Sequence, residues 1–134
     1  MLFGDEHVQR YEETGGEVGH EWQDGVPTLV LTTKGRKTGQ DRKFALIYQE
    51  HEGAYVIVAS KGGADNHPGW YHNLVENPEV GVQVGAERFT ARARIADEKE
   101  KAVLWPKMAL VWPQYDEYQK KTDRRIPVVV LERI

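Results

Sequence analysis

The segment TTKGRKTGQDRK, residues 32–43, gathers five cations, Lys34, Arg36, Lys37, Arg42 and Lys43, against a single acid, Asp41. The whole chain of 134 residues carries a formal charge of −3, so with +4 in this segment the remainder holds −7. Cations concentrated in one loop of an acidic chain suit a local anionic ligand. A nucleic acid would need a broad basic stripe, and none is visible. The spacing fails the phosphate-binding pattern G-x-x-x-x-G-K-[ST], because Arg36 stands where the glycine before Lys37-Thr38 belongs. A looser nest fits: Gly35 and Gly39 let backbone N–H groups converge on an anion, and arginine contacts phosphate or carboxylate bidentately. A solvated hairpin loop with ordinary surface charges fits as well, since Gly- and Lys-rich turns are common.

A second glycine loop with a cation, Ser60-Lys61-Gly62-Gly63, follows the apolar run AYVIVAS. NHPGWYHNL (66–74) comes next and opens a helix, whose N-terminus favours negative charge. Trp70 and Tyr71 at that helix start have the shape to stack on a flat ring, or simply to pack in a core. His67 and His72 are five apart across the helix start, which is not the i, i+4 spacing of a zinc pair, so no metal site is expected. His7, His20 and His51 are isolated and read as exposed. With no cysteine there is no disulfide framework or thiolate metal site. No Ser-His-acid pattern supports nucleophilic catalysis.

Taken in order, LTTKGRKTG, VASKGG, HPGWYHNL, WPQYDEYQ and RRIPVVVLE resemble the deazaflavin-dependent nitroreductase and quinone reductase family, from about Gly19 to the C-terminus. The resemblance implies a six-stranded antiparallel split β-barrel of the flavin-reductase type. It also implies coenzyme F-420, an 8-hydroxy-5-deazaflavin bearing a phosphate and a polyglutamate tail. By that resemblance Lys34, Arg36, Lys37, Thr38, Gly39 and Arg42 correspond to tail and phosphate contacts. Ala59, Ser60, Lys61, Gly62 and Gly63 correspond to the segment beside the ring, and Trp70, Tyr71 and Asn73 to the helix that closes the site. Tyr115 corresponds to a substrate-side tyrosine, with Tyr118 one helical turn on. Ser60, Lys61, Tyr115 and Tyr118 are then the residues closest to the chemistry, which belongs to the coenzyme while the protein binds and orients. Ile47 and Trp112 stand where some members carry tyrosine, so the acceptor pocket is expected to differ in shape.

These residues must be held by elements that periodicity outlines. Asp5 to Glu13 reads as a short helix with Asp5 as its cap and Gly15-Gly16 as its stop, within an N-terminal extension of residues 1–18. Residues 17–27 look irregular. Strands are expected at 27–33, 44–49, 54–60, 80–84, 88–95 and 126–134, with a helix at 70–77. Alternation in RFTARARI puts Phe89, Ala91, Ala93 and Ile95 on one face and Arg88, Thr90, Arg92 and Arg94 on a solvated one. Asp97 caps a helical region that Pro106 and Pro113 should break into pieces. Joins of about two to eight residues suit antiparallel hairpins. The pattern is thus mainly β with helices (α+β): a small barrel in one domain spanning 1–134, or an antiparallel sheet with helices on one face.

The expected function is hydride transfer from reduced F-420 to a hydrophobic, electron-poor acceptor: a quinone first, then enones and nitroaromatics. Two rivals stay open: a deazaflavin carrier without efficient turnover, and a flavin-mononucleotide or haem-binding split-barrel module. No apolar run reaches the roughly 18 residues of a membrane span. A cytoplasmic location is the expectation, with peripheral membrane contact by residues 1–18 and the oligomeric state left open.

Overall fold

The computed structural model describes residues 2–134. Its strands are β1 (Thr28–Lys34), β2 (Asp41–Ile47), β3 (Gln49–His51), β4 (Ala54–Val58), β5 (Glu79–Val84), β6 (Glu87–Ile95) and β7 (Val128–Arg133). All neighbours pair antiparallel, in the order β2-β1-β5-β6-β7-β4-β3. The two ends of that order, β2 and β3, are consecutive in the chain with only Tyr48 between them. The sheet must therefore curl until its edges meet at Tyr48, whose N–H donates to the Pro27 carbonyl at 3.2 Å. This is why seven strands replace the six expected. Residues up to Ile47 pair with β1 and those from Gln49 pair with β4, so one strand bent at Tyr48 serves both edges. Asp41 to Lys43, expected in the loop, begin β2.

Period-two alternation assigns the faces. Leu29 and Leu31 of β1, Ile57 of β4, Val80 and Val82 of β5, Ala91 and Ala93 of β6, and Val129 and Leu131 of β7 fill the inside of the curl. The intervening Val30, Val56, Val58, Val128 and Val130 point outward and need cover, which the helices provide. α1 (Gly4–Thr14) lays Val8 and Tyr11 on Val30. α3 (Glu98–Val111) and α4 (Gln114–Lys120) place Leu104, Met108 and Tyr115 over β4 and β7. α2 (Gly69–Glu76) sends Trp70 and Leu74 into the inner cluster. Each such side chain contributes ~1.5–3 kcal/mol on burial.

Three local expectations change. Phe3, not Asp5, is the N-cap of α1, and Asp5 lies within the first turn, where its charge faces the helix dipole. α1 is also part of the barrel: the Tyr11 hydroxyl, wholly buried, donates to Thr28 O at 2.9 Å and accepts from Gly85 N at 2.7 Å. Pro106 does not break α3, which runs unbroken to Val111. Leu104 and Met108, both buried, flank the proline and anchor both sides of the lost hydrogen bond, so packing outweighs a penalty of ~3 kcal/mol. Asp97 caps α3 as expected, accepting from Glu100 N at 2.8 Å. Arg94 of the solvated face pairs with Glu100 and Glu132. No helix among the described residues is long and apolar enough to cross a membrane.

Candidate active site

The basic loop closes on itself between β1 and β2. Gly35 N donates to Gln40 O and Gly39 N to Gly35 O, both at 2.7 Å. A Cβ on Gly35 would sit 3.0 Å from Thr38 Oγ1 and 3.2 Å from Gln40 O, so any larger residue would crowd the turn. The five cations then divide. Lys34 pairs with Asp41 at 2.7 Å and holds that carboxyl below its usual range, mainly through their hydrogen bond. Lys43 reaches across to Glu12 of α1, also at 2.7 Å. Arg36 is tied to α2: its backbone N and its Nη1 donate to Asn73 Oδ1 at 3.2 and 2.9 Å. Asn73 in turn donates to Thr33 Oγ1 at 3.1 Å. Among the described residues, Lys37 and Arg42 have no acidic partner within ion-pair distance. Arg36, Lys37, Thr38, Arg42 and Asn73 line one side of a groove of about 790 Å³, and Asp5, Glu12 and Glu13 of α1 line the other.

The second glycine loop has a different geometry. Ser60 is right-handed (φ −81°, ψ −39°), while Lys61 and Gly62 are left-handed (φ 47° and 64°). A right-handed residue followed by a left-handed one turns successive N–H groups toward a common point, the geometry of an anion nest. The N–H groups of Ser60, Lys61 and Gly62 have no partner among the described residues, whereas Gly63 N donates to Ser60 O and Ala64 N to Lys61 O. Lys61 holds a positive φ without being glycine, a strain found at functional positions. Its ammonium lies 3.4 Å from Asn66 Oδ1.

Ser60, Lys61 and Gly62 border a second cavity, of about 480 Å³, with Tyr115, Tyr118, Trp112, Trp22 and Trp70 among its walls. Trp22 and Trp112 stand 5.5 Å apart by ring centroids, and Trp112 Nε1 donates to the Tyr118 hydroxyl at 3.3 Å. Tyr115 is 4% exposed and borders this cavity, and no hydrogen-bond partner for its hydroxyl lies among the described residues. Burial, then the neighbouring Tyr118, pushes its pKa far up, and the hydroxyl stays protonated. Phe44 and Gly69 line both cavities, so groove and pocket adjoin.

The residues named from sequence thus separate. Arg36, Lys37, Thr38, Arg42 and Asn73 meet in the groove, and Ser60, Lys61, Gly62, Trp70, Tyr115 and Tyr118 meet in the pocket. Lys34, Gly39, Ala59, Gly63 and Tyr71 line neither. Ala59 is wholly buried, and Tyr71 lies on the His67 ring, 4.4 Å between centroids. The loop before α2 folds back, which brings the rings of His67 and His72 to 5.7 Å despite their spacing. Among the described residues, no three His, Asp or Glu gather as a metal site. His7 is buried, not exposed, and its Nε2 lies 2.8 Å from Gly19 O. Sequence reasoning missed the acids of α1, whose helical reading carried no hint of a docking partner. It also missed Trp22, which sits in the aperiodic segment, and Phe44 and Gly69 at the junction.

His67 carries a pH-dependent contact. Arg124, between α4 and β7, approaches its Nδ1 at 2.7 Å, so that nitrogen accepts and the neutral ring keeps its proton on Nε2. Burial lowers the His67 pKa below 6.5, and the charges of Arg124 and His72 lower it further. Arg124 faces it from the chain before β7, and Tyr71 and His72 face it from α2. With the folded pKa below the unfolded one, the folded protein binds fewer protons. Stability should therefore fall as pH drops below about 6.5 and level off beneath the folded pKa. Urea midpoints between pH 7 and 5 should decline less in His67→Gln than in the parent protein; parallel declines would remove His67 as a cause.

A family model described as F420H(2)-dependent quinone reductase matches residues 4–133. An F420H(2)-dependent quinone reductase of Mycobacterium tuberculosis strain H37Rv is 42% identical over 135 residues, covering 95% of this chain and 87% of that protein. A solved structure described as an F420-H2 dependent reductase shares 42% identity with a TM-score of 0.74, covering 79% of this chain and 94% of that one. Another, described as a domain-swapped dimer, shares 37% identity with a TM-score of 0.77 over 93% of this chain and 92% of its own. The chain belongs to the F420H(2)-dependent quinone reductase family.

Proposed function

We propose that this protein reduces a flat, apolar acceptor, a quinone foremost, with coenzyme F-420 seated across the two adjoining cavities. The observation that carries the reading is their junction at Phe44 and Gly69, where a groove with unpaired cations runs into an apolar pocket edged by an anion nest. The residues fit the group. Lys37 and Arg42, with Arg36, suit a polyanionic tail, and the N–H groups of Ser60, Lys61 and Gly62 suit negative charge on a ring oxygen. The coenzyme, when bound, supplies the hydride. The protein orients and screens: the tryptophan and tyrosine walls exclude water, and preorganised donors stabilise charge that develops during transfer. Hydride addition to a quinone leaves an oxyanion on the acceptor. In this reading the protonated Tyr115 hydroxyl, whose residue borders the pocket, donates a hydrogen bond there, and its raised pKa makes it a poor proton source. Tyr118 accepts from Trp112, which leaves its own proton free to be donated.

The test is a titration with F-420, and with flavin mononucleotide in parallel, followed by multiple-turnover oxidation of the reduced coenzyme with a menaquinone analogue. Tight F-420 binding with no turnover would make the protein a carrier, and preference for flavin mononucleotide would make it a different module. Tyr115→Phe should lower quinone reduction roughly 2- to 12-fold, the kinetic equivalent of one hydrogen bond of ~0.5–1.5 kcal/mol, and leave coenzyme affinity within about threefold. A nitroaromatic run beside the quinone should be the slower substrate, because Trp112 supplies bulk rather than a further tyrosine hydroxyl beside Tyr115 and Tyr118. Equal rates for Tyr115→Phe and parent on both acceptors would take Tyr115 out of the reaction.

A further inference from the structure

Arg124 carries more than the His67 contact. Its guanidinium fork meets three carbonyls of the second glycine loop: Nε donates to Ala64 O at 2.9 Å, Nη1 to Ala59 O at 3.1 Å and Nη2 to Ser60 O at 2.7 Å. The fork is itself fixed. Arg124 N donates to Thr122 Oγ1 at 3.1 Å, Thr122 Oγ1 donates to Asp65 Oδ1 at 2.8 Å, and Gln119 Nε2 donates to Arg124 O at 2.7 Å. One cation thus grips both ends of the loop 59–64 from behind.

The consequence follows from the peptide plane. In a trans peptide the C=O of one residue and the N–H of the next point in opposite directions. All peptide bonds among the described residues are trans. The Ala59 carbonyl shares its plane with the Ser60 N–H, and the Ser60 carbonyl with the Lys61 N–H. Drawing both carbonyls back to Arg124 therefore aims both N–H groups away from it, into the nest that edges the pocket. It also holds Lys61 in its left-handed conformation, which a free loop would leave.

We propose that Arg124 is a positioning residue that aims the Ser60 and Lys61 N–H groups at the coenzyme ring, without touching the coenzyme itself. This rests on the reading of the pocket as the ring site. Lysine cannot replace the fork, because a single ammonium cannot span three carbonyls in fixed directions. Arg124→Lys keeps the charge and loses the aim.

Two measurements test this. In the protein without coenzyme, the amide resonances of Ser60, Lys61 and Gly62 should shift and broaden in Arg124→Lys, while those of Leu31 and Val82 stay in place. With saturating F-420, the change in visible absorption that binding produces in the parent protein should shrink by at least half in Arg124→Lys. Turnover should fall about tenfold with the acceptor KM nearly unchanged. Arg124→Gln serves in the same assays where the lysine variant folds poorly. Parent-like amide resonances with a full absorption change would overturn the role of Arg124. Absence of F-420 binding by the parent protein would defeat the ring-site reading, and the amide resonances would still decide whether Arg124 orders the loop.

Discussion

Replacing Lys37 and Arg42 together by alanine is expected to raise the F-420 dissociation constant roughly 10- to 100-fold, with turnover of bound coenzyme within about twofold of the parent. Charge-assisted hydrogen bonds are worth ~1.5–3 kcal/mol each when well formed, and exposure at the groove reduces that to roughly half, so two lost contacts come to ~1.5–3 kcal/mol. These two cations are the informative pair because neither is tied to an acid of the protein, unlike Lys34 with Asp41 and Lys43 with Glu12. Arg36→Ala is a less clean probe: it also releases Asn73 and unties the loop from α2. Affinity should fall as salt rises, since ion pairs at a solvent-facing groove are screened. Glu12→Gln should act oppositely, by removing a negative charge from the facing wall and freeing Lys43. Isothermal titration at two ionic strengths checks all of this. A double variant that binds as the parent does would return the loop to the class of solvated surface turns.

The acids of α1 show where sequence reasoning stops. The run TTKGRKTGQDRK suggests an anion site through its concentration of cations, and its neighbours on β1 and β2 are readable as short apolar runs, with β-branched residues in β1. Nothing in GDEHVQRYEET says that Asp5, Glu12 and Glu13 will form the opposite wall, because that depends on how Val8 and Tyr11 dock on Val30. The bend at Tyr48 is equally silent: 44–49 reads as one short apolar strand, and only the need to serve both β1 and β4 reveals the break. At Pro106 local propensity pointed the wrong way, and the buried Leu104 and Met108 decided the matter. Arg124 lies inside the quoted segment RRIPVVVLE, yet its role depends on three carbonyls at least 60 residues away in sequence. Motif residues that touch the cavities were therefore legible, while those that aim or oppose them required the fold.

Gly63→Ala should cost the protein ~2–5 kcal/mol and lower its melting temperature by about 10 °C or more, with loss of quinone reduction. Two separate penalties combine. Gly63 has φ +85°, and an alanine there pays ~1–2 kcal/mol for a left-handed backbone. The added Cβ would also lie 2.6 Å from Tyr118 O and 3.0 Å from Tyr118 Cα. Those are backbone atoms of α4, so no flexible side chain can yield, and overpacking of this kind costs ~1–3 kcal/mol. Relief requires α4 to move off the loop, and α4 carries Tyr115 and Tyr118 while the loop carries Ser60 and Lys61. The substitution would thus pry the acceptor side of the pocket from the ring side. Gly62→Ala is the control. Gly62 also has a positive φ, +64°, but no atom lies within 4 Å of its added Cβ. It should lose only the backbone share, about 1–2 kcal/mol, and keep the two tyrosines in place. Melting curves and quinone kinetics for the two variants, measured together, separate backbone strain from the helix–loop contact. Equal losses in both would show that α4 yields freely and that Gly63 serves only the turn.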